Sequence, residues 1–170
     1  MNERKGLITF KGAPLTLLGN EVKVGDPAPA FTVVANDLAE VTLSTFAGKT
    51  KLISVVPSLD TAVCELQTKR FNEEATKLSS DIVVLTISMD LPFAQRRFCD
   101  SYKIDRVQVL SDHRDASFGL AYGVLIKELR LLARSIFILD NRDTIRYFEL
   151  IKEVTTHPDY DQALAALKQI

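Results

Sequence analysis

Cys64 and Cys99 are the only cysteines in this sequence, and His113 and His157 the only histidines. A thiolate is both a nucleophile and a metal ligand, so the local setting of each cysteine decides which chemistry is open to it. Cys64 has the more suggestive setting. It follows the apolar run Lys51-Leu52-Ile53-Ser54-Val55-Val56, which reads as a buried strand, and the turn Pro57-Ser58-Leu59-Asp60-Thr61. That places it in the first turn of a helix, where unpaired amides and the helix dipole favour a thiolate. Ser58, Asp60 and Thr61 are candidate caps, and the Thr61 hydroxyl can lie near the sulfur. The competing reading is a cysteine that fills space in a core. Asp60 and Glu65 oppose a thiolate, so a reactive Cys64 needs a compensating cation. Arg134 supplies one if its strand neighbours the strand ending at Val56; otherwise it is a solvated surface arginine.

Cys99 stands late in a helix, between Phe93 and Phe98 on one side and the helix end on the other, and a buried packing role is reasonable there. A bridge to Cys64 would close a loop 35 residues apart, which stabilises by roughly 4 kcal/mol in a chain-entropy account. A bridge made and broken reversibly must return much of that as strain or local unfolding, which makes the Cys99 helix a mobile element.

Other chemistries lack their residues. No CxxC, HxxxH, GxGxxG or GxxxxGK[ST] spacing occurs, so zinc, iron–sulfur, thioredoxin-type dithiol and nucleotide sites have no support. No metal and no cofactor is expected. A cysteine protease needs a histidine base; Asp112-His113 reads as a turn and His157-Pro158-Asp159 as the approach to the last helix. The net charge of −1 gives no electrostatic reason to bind nucleic acid or anionic membrane. Lys127-Glu128-Leu129-Arg130 reads as a solvated loop. The start of the chain lacks a signal-peptide core and no 18-residue apolar run exists, so a cytoplasmic protein is expected. Two cysteines are too few for a disulfide-stapled secreted scaffold.

The elements that must hold these residues are those of one domain. A chain of 170 residues with 46% hydrophobic and 25% charged side chains is an ordinary globular length and composition. Residues 1–24 read as an N-terminal β-hairpin extension: Leu7–Phe10, a turn at Lys11-Gly12-Ala13-Pro14, then Leu15–Leu18. Beyond the Val24–Phe31 turn region come the strand at 51–56 and a helix with Val63, Leu66, Phe71, Ala75 and Leu78 at mostly helical spacing. A strand at Ile82–Ser88, a helix opened by Pro92, a strand at Val107–Leu110 and a short helix at Asp115–Tyr122 follow. Ser135–Leu139 and Thr144–Phe148 flank a hairpin turn, and Asp159–Gln169 closes as a helix with Ala163, Leu164 and Leu167 on one face. This order predicts an α/β fold, a central mixed β-sheet flanked by helices.

With these residues in view, the chain resembles the thiol peroxidase subfamily of the peroxiredoxins, the bacterial atypical two-cysteine type. The likeness runs through Val24-Gly25-Asp26-Pro27-Ala28-Pro29-Ala30-Phe31, the block Val56-Pro57-Ser58-Leu59-Asp60-Thr61-Ala62-Val63-Cys64, and the block from Ser88 to Cys99. It continues in Ala121-Tyr122-Gly123-Val124, Leu132-Ala133-Arg134-Ser135 and Glu153–Tyr160. The resemblance implies a thioredoxin-like fold and a peroxidase that reduces hydrogen peroxide and alkyl or lipid hydroperoxides. It implies Cys64 as the peroxidatic cysteine, oxidised to a sulfenic acid, and Cys99 as the resolving cysteine, giving an intrachain disulfide that thioredoxin reduces. Thr61 is implied to hydrogen-bond sulfur and peroxide, Arg134 to stabilise the thiolate and polarise the peroxide, and Pro57 to shield the centre. A homodimer is commonly implied as well. The alternatives are a dithiol oxidoreductase acting on protein disulfides and a thioredoxin-like binding domain whose cysteines merely pack.

Overall fold

The computed structural model describes residues 1–170. Two sheets organise the chain. The first has the order β1-β2-β8, with β1 (Glu3–Phe10), β2 (Ala13–Leu18) and β8 (Leu125–Ile126) all antiparallel. The hairpin turns at Lys11 (φ 49°) and Gly12 (φ 81°). Two consecutive positive φ values match the right-handed twist of the paired strands. β1 begins four residues before the apolar Leu7–Phe10 run; it is an edge strand whose Glu3 and Lys5 stay exposed while Arg4 turns in to donate to the Gly123 carbonyl.

The second sheet has seven strands in the order β10-β9-β5-β6-β7-β3-β4. They are β3 (Thr32–Val34), β4 (Glu40–Thr42), β5 (Thr50–Val55), β6 (Ile82–Ser88), β7 (Gln108–Ser111), β9 (Ser135–Leu139) and β10 (Ile145–Leu150). β5, β6 and β7 run parallel, and the remaining neighbours pair antiparallel. The expected mixed sheet is therefore present. β3 and β4, three residues each, lie in a stretch with no long apolar pattern to announce them. The short helix α3 (Ser117–Ala121) lies between β7 and β8.

Central strands are apolar on both faces, as strands covered on both sides must be. Ile53, Val55, Leu85, Ile87 and Phe137 face the larger core, shared with the hairpin, β8 and α3. Leu52, Val84, Val109, Ile136 and Ile138 face a smaller core closed by α1 (Ala62–Ala75), α2 (Pro92–Tyr102) and α4 (Tyr160–Leu167). Phe31, which ends the Val24–Phe31 motif, meets Phe118 edge-on with centroids 5.3 Å apart. Gly123 (φ 68°) is where the hairpin joins the body: a Cβ there would stand 2.1 Å from the Asn20 carbonyl oxygen. No helix is long and apolar enough to cross a membrane.

One local expectation needs correction. The buried face of α1 is Cys64, Gln67, Thr68 and Phe71, whereas Leu66 is 52% exposed. The apolar spacing set the wrong phase because the buried stripe itself carries two polar side chains. The Lys127–Arg130 segment is a solvated turn, as expected, and it also fastens the hairpin. Glu128 accepts from the Thr16 amide through both oxygens (2.9 and 3.1 Å), and Lys127 pairs with Glu3 at 2.5 Å. Asp112 opens the expected turn, its carbonyl accepting from the Ala116 amide, and its buried carboxylate accepts from the Phe118 and Gly119 amides at 2.9 and 2.8 Å. Burial pushes its carboxyl up to about 6 against those two hydrogen bonds.

Candidate active site

β5 delivers its C-terminal end to one rim of the sheet, and the turn that follows leads into α1. On the neighbouring strand, Ser135 is the register partner of Val55. Arg134 therefore enters β9 beside the point where β5 gives way to Pro57. The condition that sequence alone could not test is met.

The Arg134 guanidinium is 2% exposed and fully engaged on one side. Nε donates to the Val154 carbonyl at 3.0 Å, Nη1 to Gln67 Oε1 at 2.8 Å, and Nη2 to Cys64 Sγ at 3.2 Å. Three of its five N–H donors are thereby used and two remain. A buried guanidinium is tolerable only with such partners, and the sulfur is the partner that carries charge when it ionises. Gln67 is itself fully buried, and its Nε2 donates to Ser54 Oγ of β5 at 2.7 Å. The chain Ser54–Gln67–Arg134–Cys64 thus links three elements. Gln67 escaped the sequence reading. Its signal was its place one turn after Cys64, since residues three apart share a helix face.

Cys64 is the third residue of α1 and has no solvent exposure. No side chain caps this helix, so its first-turn amides keep donor capacity beside the sulfur. Of the candidate caps, Thr61 stands at the N-cap position with extended backbone, and its hydroxyl donates to the Ser58 carbonyl at 3.1 Å. In this arrangement it serves the loop and not the sulfur. Asp60 is exposed, and Glu65 is drawn off by Lys69 at 2.6 Å. Both carboxylates that oppose a thiolate are thus turned to solvent or neutralised.

Over this centre lies a cleft of about 620 Å³ lined by Pro57, Thr61, Ala62, Val63 and Arg134, with Phe10 and Lys11 of the hairpin and Leu129, Leu131, Val154 and Thr155 opposite. Pro57 is buried, between the cleft and the sheet. Glu153 fastens the hairpin wall: it accepts from Thr9 Oγ1 at 2.6 Å, the Lys11 amide at 2.9 Å and the Gly12 amide at 3.2 Å. These bonds, the one from Thr9 first, hold its carboxyl down at about 2. Because the folded value lies below the ordinary carboxylate range, the clamp's stabilisation is complete above that range and disappears as pH falls toward 2. Glu153→Gln should speed amide exchange at residues 9–12 several-fold at neutral pH; unchanged exchange would show that strand pairing alone holds the hairpin.

Cys99 lies on α2 and is half-buried against the smaller core, to which Cys64 also belongs. Phe98 is buried beside it, but Phe93 is 67% exposed, so only one of the two expected flanking aromatics packs. Burial pushes the Cys99 thiol up, partly offset by Asn36, whose Nδ2 donates to Sγ at 3.9 Å. Both thiols are free. The site therefore offers one buried sulfur paired with a cation beneath a mostly apolar cleft, and a second sulfur on a separate helix.

The chain is similar to known proteins along nearly its whole length. The Redoxin family profile matches residues 23–164. The chain is 60% identical to a thiol peroxidase of Halalkalibacterium halodurans over 161 residues, covering 95% of this chain and 96% of the relative. It is 58% identical to a thiol peroxidase of Bacillus subtilis, covering 96% and 97%. Among solved structures, a peroxiredoxin-like protein from Aquifex aeolicus superposes with a TM-score of 0.89 at 42% identity, covering 98% of this chain and 99% of the other. A thiol peroxidase from Chromobacterium violaceum has the same fold, with a TM-score of 0.84 over 95% of each chain at 22% identity. Family profile and near-full-length relatives agree: the chain belongs to the redoxin family and, within it, to the thiol peroxidases.

Proposed function

We propose that the chain reduces hydrogen peroxide and alkyl or lipid hydroperoxides to water and alcohols, with Cys64 as the reacting sulfur. The observation that carries this reading is the Arg134 guanidinium 3.2 Å from a fully buried Cys64 Sγ at the start of α1. The Cys64 thiolate attacks one peroxide oxygen, the O–O bond breaks, and the leaving oxygen takes a proton to depart as water or alcohol. Cys64 is left as a sulfenic acid. The two spare N–H donors of Arg134 polarise the peroxide, and electrostatic groups fixed in place before reaction act without reorganisation. Thr61 turns its hydroxyl from Ser58 toward the incoming peroxide, and Pro57 keeps bulk water from the sulfur.

Cys99 then condenses with the sulfenic acid: a sulfur–sulfur bond forms, the Cys64 S–O bond breaks, and the hydroxyl leaves with the thiol proton as water. Thioredoxin reduces the resulting intrachain disulfide. The chain works in the cytoplasm, where such a bond is transient, and as a homodimer. The exposed side chains of Leu66, Leu91 and Phe93 give it apolar surface to cover. Neither a metal nor a cofactor enters these steps.

Mass spectrometry after one equivalent of hydrogen peroxide tests the scheme. The expected product has lost two hydrogens and links Cys64 to Cys99; two untouched thiols would return the cysteines to a packing role. Cys99→Ser should undergo a single oxidation and stop at the sulfenic acid or pass beyond it. Sustained turnover with thioredoxin in that variant would remove Cys99 from the cycle.

A further inference from the structure

Asp90 stands between β6 and α2, outside the site described above, yet it holds the loop that carries Cys64. Its Oδ1 accepts from Ser58 Oγ at 2.8 Å, and its Oδ2 accepts from the Leu59 amide at 2.8 Å and from Ser88 Oγ at 2.7 Å. On its other side the same residue is tied to the Cys99 helix. Ser88 Oγ accepts from Nε2 of Gln95 at 3.0 Å, and that amide also donates to the Leu110 carbonyl at 2.9 Å. Ser111 Oγ donates to the Asp90 carbonyl at 2.5 Å. Gln95 is fully buried on α2, one turn before Cys99. An unbroken run of hydrogen bonds therefore joins the Cys64 loop to the Cys99 helix, and Asp90 is its only charged member.

Two further details bear on what this run does. The Gln95 Oε1 atom is buried without a partner. Reversing the amide would not repair this, because Nε2 already serves two acceptors, one of them a backbone carbonyl that can only accept. The anchor of α2 thus carries an unmet acceptor, a standing cost to its present seat. The two thiols, moreover, are unbonded here, with Cys64 sealed under the cleft and Cys99 on a different helix. A disulfide demands Cα atoms within roughly 4.4–6.8 Å and facing Cβ vectors, and any movement of the Ser58–Leu59 loop toward that geometry breaks bonds made by Asp90. Movement of the start of α2 breaks the Gln95–Ser88 bond, and Ser88 in turn donates to Asp90.

We infer that Asp90 is a positioning residue that holds the peroxide-reactive form of the Cys64 loop and, by the same bonds, restrains the rearrangement that brings Cys99 to it. The inference rests on the peroxidase reading given above. It makes Asp90 the residue that divides the Cys64 sulfenic acid between two fates. In one, Cys99 closes the disulfide and releases water. In the other, a second hydroperoxide transfers an oxygen atom, giving the sulfinic acid and one water or alcohol. Loosening the run should speed the first fate and slow the initial oxidation, because the reactive loop is no longer held.

The chain has no tryptophan, so quenched-flow mass spectrometry over a range of hydrogen peroxide concentrations is the suitable measurement. In Asp90→Ala, the peroxide concentration giving equal disulfide and sulfinic acid should rise roughly tenfold, the size expected when a charge-assisted hydrogen bond is lost. Ser58→Ala, which removes one of the three side-chain bonds, should shift it about threefold in the same direction and serves if Asp90→Ala fails to fold. Asp90→Asn should lie between wild type and Asp90→Ala. A residue with only a structural part would slow the first oxidation and leave this division unchanged; that result, or a shift toward sulfinic acid, overturns the inference. If wild type forms the disulfide and the variants divide as it does, only the inference falls. If wild type forms none, the peroxidase reading falls and takes the inference with it.

Discussion

Cys64→Ser should show no multiple-turnover peroxide reduction with thioredoxin and its reductase, a loss of about four orders of magnitude or more. The reason is the nucleophile itself. A thiolate is the attacking species in this chemistry, and a serine hydroxyl has no comparable anion at neutral pH and forms no sulfenic acid. Packing is not the cause, because serine fills nearly the same volume and can accept the hydrogen bond that Arg134 Nη2 now gives to Sγ. Circular dichroism and thermal unfolding should accordingly stay close to wild type. Turnover that survives this substitution would sink the mechanism, since no other thiol lies beside a cation.

Arg134→Ala carries the second large effect: a fall in the rate of Cys64 oxidation of about 10²–10³-fold at neutral pH, the range found when one fixed donor is removed from a reacting centre. The guanidinium is the only cation hydrogen-bonded to a fully buried sulfur. Without it an ionised thiol has lost its charge partner in a site that water does not reach, and the ionised form is disfavoured. The variant's Cys64 should therefore be oxidised more slowly than wild type at each peroxide concentration. Gln67→Ala should give a smaller loss of the same kind, because Arg134 keeps its charge but loses the 2.8 Å contact that aims it. A Cys64 oxidation rate equal to wild type in Arg134→Ala would take Arg134 out of the reaction.

How much of this was legible beforehand depended on what carried the signal. Long apolar strands, the Pro92 helix start and the Lys11-Gly12 turn announce themselves, because local chemistry alone produces them. The phase of α1 does not, since its buried face is chosen by a polar contact with a residue 70 positions away. Gln67, Thr68 and Lys51 sit where composition expects apolar side chains. Lys51 has no exposure and is held by Asp143 from the β9–β10 turn. Buried polar residues are readable only once their partners are known. Strands β3 and β4 escaped for another reason: three residues apiece are too few to show a period. Cys64, Cys99, Arg134, Pro57 and Thr61 could be named from the sequence, but the Gln67 link and the Glu153 clamp could not.

The cleft over Cys64 draws its walls from both ends of the chain, from Phe10 to Thr155, and this orders its history on the ribosome. At about 5–20 residues per second, the 70 residues between Cys64 and Arg134 take about 4–14 s to synthesise. During that interval the thiol has neither its cation nor its cover, and the hairpin has no Glu153 to dock against. Assembly of the site is thereby postponed until the chain is nearly complete. Contacts so distant in sequence form late, so the nascent Cys64 is a thiol without its guanidinium partner until the last third of the chain arrives.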